Sequence, residues 1–165
     1  MREAKITKKT PGHWLMKSEP DAFSIDDLHR SKNQTAPWDG VRNYQARNYI
    51  RDEMKIGDLA YFYHSSCKVP AIVGLMEIVK AAYPDPSAFD PKSPYFDPKS
   101  TPSNPRWYMV DVKFKEKYSH PLSLEILKTN PTLSGFKLLD RGNRLSILPI
   151  SVEQWRTLTK MITAS

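Results

Sequence analysis

The sequence contains one cysteine, six glycines and no long hydrophobic run, and each scarcity excludes a class of protein. Cys67 alone cannot form an internal disulfide, and it has no second thiolate with which to hold zinc. The glycines form neither a P-loop nor a dinucleotide-binding pattern, and no His spacing suits a metal site. No run approaches the roughly 18 apolar residues of a membrane span. We therefore expect no metal, no cofactor and no membrane insertion.

Basic residues outnumber acidic ones, 25 to 18, which gives a formal net charge of +7. Such a balance suits an anionic partner such as nucleic acid, although clustering of the charges decides the matter. Residues 1–12 are predicted to be a flexible basic tail and residues 13–165 a single domain, because this length fits one hydrophobic core. The tail lacks the apolar segment of a secretory signal, so we expect an intracellular protein.

The hydrophobic pattern predicts the element order β-α-α-β-β-β-α-β-α. No helix is predicted between the central strands. We therefore expect an α+β protein with a mixed, mainly antiparallel sheet that curls toward a barrel and has helices packed outside it. The predicted strands cover 13–17, 59–64, 71–80, 107–118 and 144–148, with 133–139 extended. Helices are predicted over 25–29, 43–54 and 123–128 and from Ser151 onward, with Ser24, Asn43, Ser123 and Ser151 as their N-caps.

Two segments depart from regular structure. Gly74, inside a predicted strand, indicates a bulge or a close backbone approach. Residues 83–105 hold seven of the fourteen prolines and four aromatic side chains, a composition that resists both helix and central strand. Long loops in compact domains are often functional, and the interleaved aromatics favour function here.

The segment from Trp38 to Asn48 combines an indole, two guanidiniums, a phenol and several amides beside Gly40. An aromatic face stacks on a flat ring, amides offer paired donors and acceptors, and Arg binds phosphate. This mixture indicates a nucleobase ligand. The alternative for Trp38 is an ordinary core tryptophan.

Several longer motifs point to one family. They are HWLMKSEP at 13–20, the Trp38–Asn48 segment, FYHS at 62–65, YPD at 83–85, PRW at 105–107 and RLSI at 144–147. Together they resemble the EVE domain. The resemblance implies a PUA-like pseudobarrel, related to the YTH readers of methylated RNA, with a pocket for a modified nucleobase. It also implies a nuclear location.

The resemblance further implies which residues form the pocket. The first strand ends there with Lys17 and Ser18, Trp38 forms an aromatic wall, and Asn43 and Tyr44 open the adjoining helix. The opposite rim consists of Tyr63, His64 and Ser65. Two positions that flank the rim turn depart from the family pattern, because Ser66 stands where Asn is expected and Ala71 where Gly is expected. Asp140-Arg141-Gly142 is also less basic or amide-rich than in relatives, which puts a phosphate role there in question.

Three arginines are predicted to contact phosphate, because a captured nucleotide leaves its backbone at the pocket mouth. They are Arg42, Arg47 and Arg51; the alternative is a solvated helix face. His64, Ser65 and Cys67 do not make a catalytic set, because neighbours on a strand alternate faces.

We therefore expect a non-catalytic reader that binds nucleic acid, DNA or RNA, carrying a modified, methylated base. Two alternatives remain open: an enzyme acting on a base or nucleotide in the same pocket, and a protein-interaction module that uses the proline-rich loop 83–105.

Overall fold

The computed structural model describes residues 12–164, in which a six-stranded sheet is the central element. The strands lie in the order β2-β5-β4-β3-β1-β6. β1 and β3 pair in parallel, and all other pairs are antiparallel. The strands are β1 His13–Ser18, β2 Thr35–Pro37, β3 Leu59–His64, β4 Ala71–Pro84, β5 Tyr108–Ser123 and β6 Ile147–Pro149.

The predicted α+β class and the mixed, mainly antiparallel sheet are confirmed. Among residues 12–164 no ladder joins the outer strands β2 and β6, so the sheet is open rather than a closed barrel. No helix in this range is long and apolar enough to cross a membrane. The predicted basic tail, residues 1–12, lies outside the described residues except for Gly12.

Four α-helices accompany the sheet: α1 Ile25–Arg30, α2 Tyr44–Asn48, α3 Leu124–Lys128 and α4 Val152–Thr163. Each begins at a side chain predicted as its cap. Ser24 and Ser151 form capping boxes with Asp27 and Gln154, because each serine hydroxyl accepts a backbone N–H three residues on while that residue's side chain reaches back. The predicted helix over 43–54 changes to a π-helical turn at Tyr49–Glu53.

Two local predictions are wrong. Residues 133–139 are not extended, since two short 3-10 turns, Pro131–Leu133 and Lys137–Leu139, flank a left-handed Gly135. Tight turns at this spacing direct Leu133, Phe136 and Leu138 inward, and all three are buried. The last strand begins only at Ile147, because the preceding residues form a turn.

Both faces of the sheet are buried, which explains the nearly continuous apolar runs of the central strands. In β1, Trp14 and Met16 face one hydrophobic core and Leu15 faces the other. α1, α2 and the π-helical turn cover the first core through Ile25, Leu28, Ala46 and Ile50, and α3, the 3-10 turns and α4 cover the second through Leu127, Leu133, Phe136 and Leu158.

Gly74 makes the close approach that its position in β4 predicts. The registers of β4 with β3 and with β5 both shift beside this residue, as at a bulge. A Cβ atom placed here would lie 2.5 Å from the carbonyl oxygen of Glu116 and 2.8 Å from Cδ1 of Ile25. The packing of α1 on the sheet therefore requires glycine.

Replacing Gly74 with alanine is expected to lower the free energy of unfolding by roughly 1–3 kcal/mol, the usual cost of overpacking a core. Urea denaturation followed by tryptophan fluorescence would measure the change. An unchanged transition midpoint would show that α1 and β5 move apart freely, contrary to the packing described.

Candidate nucleic-acid interface

A cleft of about 1210 Å³ opens where β1 and β3 end. Because these strands are parallel, their carboxyl ends meet at one edge of the sheet, and Ser65 N–H donates to the Ser18 carbonyl at 3.0 Å. Tyr63 belongs to the core on one face of the sheet and Trp38 to the core on the other, and both line the cleft. The volume exceeds the roughly 300–1,000 Å³ of a small-molecule pocket.

Trp38 packs in the hydrophobic core and also borders the cleft. Its ring packs edge-on against Phe62, with centroids 5.3 Å apart, and against Phe23 at 6.4 Å. The side chain is 6% exposed and lines the cleft. Its indole N–H has no hydrogen-bond partner among the described residues. Trp38 is thus a core residue at the wall of the cleft, and its contact with a ligand stays a prediction.

Two further residues that line the cleft, Tyr63 and Lys17, have polar groups without partners in the described part of the chain. Burial, followed by the nearby Cys67, raises the pKa of Tyr63 to about 12, so its hydroxyl stays protonated at neutral pH. Burial lowers the pKa of Lys17, whose ammonium group has no carboxylate partner in the described part of the chain. Ser18 instead donates its hydroxyl to the Phe23 carbonyl at 2.6 Å, which leaves it to act as an acceptor.

The loop that carries Trp38 is held by the buried carboxylate of Asp85. This side chain accepts hydrogen bonds from Gly40 N–H at 2.8 Å and from Ser87 N–H at 2.9 Å. It also accepts the Ser87 hydroxyl at 2.6 Å and the Arg42 guanidinium at 3.1 Å. Burial acts to raise the pKa of Asp85, but these four interactions outweigh it and hold the pKa below the ordinary value.

The proline-rich loop completes this support. The Arg42 guanidinium also donates to the Tyr95 carbonyl at 2.9 Å and lies 5.6 Å above the Tyr95 ring and 5.4 Å from the Trp107 ring. Gly40 adopts φ +80°, and a Cβ there would meet the Tyr95 ring at 2.7 Å. The loop therefore packs directly against the segment that presents Trp38.

Of the residues predicted to form the pocket, five line one cleft: Lys17, Ser18, Trp38, Tyr63 and Ser65. The other three do not line the cleft, and their side chains contact other residues of the protein. Asn43 Oδ1 caps α2 by accepting Ala46 N–H at 2.9 Å, and Tyr44 stacks on Trp107 at 4.8 Å.

The third, His64, accepts Ile25 N–H through Nε2 at 3.1 Å. Burial lowers the pKa of His64, in keeping with a neutral acceptor. Direct contact of any of the eight residues with a ligand stays a prediction.

The three arginines predicted to bind phosphate already have protein partners. Arg42 lines the cleft but is paired with Asp85. Arg47 donates to the Arg106 carbonyl at 2.8 Å, and Arg51 pairs with Asp52 at 2.8 Å on the surface. Their role as phosphate contacts stays a prediction.

The structure adds cleft residues that the sequence did not assign to the pocket. Asp39 follows Trp38, and its pKa is raised by burial and then by Asp85. Lys128, Arg141 and Arg144 also line the cleft. No local pattern unites these positions, because α3 and the loop before β6 meet only in the folded chain. Within the described range, no group of three His, Cys, Asp or Glu side chains could hold a metal ion.

The Ser66 departure has a backbone consequence. Ser66 lines the cleft with φ +51°, in the left-handed region where Asn is more favourable than Ser. The Asn expected here therefore suits the turn itself. Ala71 is buried beside it and pairs with His64 across the β3–β4 ladder.

Asp85→Asn is expected to lower the free energy of unfolding at pH 7 by roughly 3–5 kcal/mol, because a buried ion pair loses one partner. A carboxyl with a depressed folded-state pKa stabilises the fold above its ordinary value of 3.8, and this contribution disappears as pH falls through the folded-state pKa. The difference between wild type and variant should therefore shrink between pH 7 and pH 3, as measured by urea unfolding.

The matched control is Asp90→Asn in the same loop, since the exposed Asp90 side chain accepts only Lys92 N–H among the described residues. It should change stability by about 0.5 kcal/mol or less. Equal losses in both variants would contradict the anchoring role of Asp85.

Comparison with known proteins places this chain in a family. The model of the EVE domain matches residues 12–161. Human thymocyte nuclear protein 1 is 46% identical over 165 aligned residues, which cover 90% of this chain and 72% of that protein. A crystal structure of a Pseudomonas syringae protein has a TM-score of 0.86 at 48% identity and covers 90% of this chain and 98% of its own.

A second solved structure shows a relative with a ligand. It is the crystal structure of human THYN1 protein in complex with 5-methylcytosine containing DNA, with a TM-score of 0.85 at 43% identity, covering 91% of this chain and 96% of that chain. The agreement in fold confirms the predicted fold class, and the family match confirms the resemblance seen in the sequence. The chain belongs to the EVE domain family.

Proposed function

We propose that this protein is a non-catalytic reader that captures a modified, methylated base of nucleic acid in the Trp38 cleft. The observation that carries the proposal is the position of Trp38, whose indole packs edge-on against Phe62 and, although only 6% exposed, borders the cleft. The relative in complex with 5-methylcytosine containing DNA supports the same ligand class, a methylated base in DNA.

The cleft offers what recognition of a flat heterocycle needs. Stacking on an aromatic side chain contributes roughly 1–3 kcal/mol per base, and burying one methyl group adds about 0.8 kcal/mol. Selectivity beyond this comes from polar groups that stay unsatisfied with the wrong base, at about 1–3 kcal/mol each. The Trp38 N–H and the Tyr63 hydroxyl are available donors, and the Asp39 carboxylate is an acceptor that suits an exocyclic amine.

The hydrogen bond that His64 accepts favours a reader over an enzyme. Its Nε2 lone pair accepts Ile25 N–H, so this imidazole could act as a general base only by uncapping α1. The packing of Tyr95 against Gly40 likewise favours a supporting role for the proline-rich loop over a docking surface. Because the vertebrate relatives are named nuclear proteins, we propose a nuclear location.

The test compares wild type with Trp38→Phe on two DNA duplexes that differ only in one 5-methylcytosine. Phenylalanine keeps apolar contact with Phe62 but removes the larger stacking face and the N–H donor. Wild type should prefer the methylated duplex, and the variant should lose roughly tenfold or more of that affinity, within the 1–3 kcal/mol of a stacking platform. Isothermal titration calorimetry would measure both affinities.

Trp155→Phe is the matched control, since Trp155 stacks on His13 and Tyr61, both at 4.2 Å, and lies outside the cleft lining. It should bind as wild type does. Binding of the methylated duplex by Trp38→Phe at wild-type affinity would reject the pocket. Mass spectrometry of the DNA after incubation should show it unchanged, whereas a converted base would identify an enzyme.

A further inference from the structure

Three cations that line the cleft have no partners among the residues that the structure describes. Lys128 lies at the end of α3, and Arg141 and Arg144 lie in the loop before β6. All three side chains are exposed, and none has an ion pair or hydrogen bond among the described residues. Arg42, Arg47 and Arg51 contrast with them, because each of those guanidiniums is already bonded to the protein.

The loop that carries the two arginines is attached to the base-binding end of the cleft. Lys17 N–H donates to the Ser146 carbonyl at 2.8 Å, next to Ser18. The turn itself is ordered by Asn143, whose Oδ1 accepts Leu145 N–H at 3.0 Å and whose N–H donates to the Asp140 carbonyl at 3.2 Å. The buried Leu138 anchors its start. The backbone that carries Arg141 and Arg144 is therefore held in place beside β1.

Charge and size indicate what this part of the cleft receives. Four cations line the cleft, Lys17, Lys128, Arg141 and Arg144, and none of them forms an ion pair with the three carboxylates that also line it, Glu19, Asp39 and Asp140. The cleft is too large for a single nucleobase, and a captured base is joined to phosphates on both sides. Guanidinium groups bind phosphate oxygens in a bidentate manner, and such contacts position a nucleic acid without reading its sequence.

We propose that Lys128, Arg141 and Arg144 bind the phosphodiester backbone flanking the base held at Trp38. This inference rests on the proposed reader function and assigns the backbone to a different surface from α2. It predicts that the loop before β6 contributes affinity without methyl selectivity, while Trp38 contributes both.

The salt dependence of binding tests this assignment. Each phosphate contact makes the logarithm of the binding constant fall more steeply with the logarithm of salt concentration, by about 0.9 units of slope on duplex DNA. The double variant R141Q/R144Q should lower the steepness by about one to two units on the methylated duplex. Its ratio of affinities for methylated and unmethylated DNA should stay at the wild-type value.

R30Q/R156Q is the matched control, because it removes the same charge from two exposed arginines that do not line the cleft. It should leave the slope within about half a unit of wild type. R47Q/R51Q tests the rival assignment, in which α2 and the π-helical turn that follows it bind the phosphates. Circular dichroism melts of all three variants should match wild type, and an R51Q single variant replaces R47Q/R51Q if R47Q unfolds.

An unchanged slope in R141Q/R144Q, or a reduced slope only in the α2 variant, would overturn the assignment while leaving the Trp38 proposal intact. Loss of methyl selectivity in R141Q/R144Q would also overturn it, since backbone contacts carry no such information. If wild type fails to bind either duplex at low salt, both this inference and the proposed function fail.

Discussion

The buried carboxylate of Asp85 is the interaction on which the candidate site depends. It lies just after β4, yet two of its donors, Gly40 and Arg42, belong to the segment that follows β2. A carboxylate removed from water is stable only when its lone pairs are occupied, and here four donors occupy them. The Trp38 segment is therefore held in two ways: Trp38 N–H continues the β2–β5 pairing by donating to the Val110 carbonyl at 2.8 Å, and Asp85 binds the residues that follow it.

Strand direction supplies the second constraint. The single parallel pair, β1 with β3, brings Ser18 and His64 to the same edge of the sheet, whereas an antiparallel pair would separate the two strand ends. Both faces of this pair are buried, so the cleft at its end has rigid walls. Side chains held by a packed core lose little freedom when a ligand arrives, which favours binding.

Most helices and strands were predictable because they depend on residues close together in sequence. The cleft was less predictable because it depends on contacts between residues far apart in sequence. Ser24, Ser123 and Ser151 marked helix starts because capping depends on residues three apart. The role of a polar residue near a site is harder to predict, because the same side chain can bind a ligand or cap a helix. Asn43 was predicted to line the pocket, and its side chain caps α2. Lys128 and Arg144 show no relation in sequence, because only the folded chain brings α3 and the last loop together.

The hydrogen bond from Lys17 N–H to the Ser146 carbonyl has a mechanical consequence. It joins the end of β1 to the loop before β6, so the two walls of the cleft are linked by the backbone. Under the proposed function a captured base must leave its stack, and rotating a base out of its stack costs a few kcal/mol. Mispaired, damaged or unpaired positions require less of this energy, so the proposed reader is expected to engage weakened sites in preference to intact duplex.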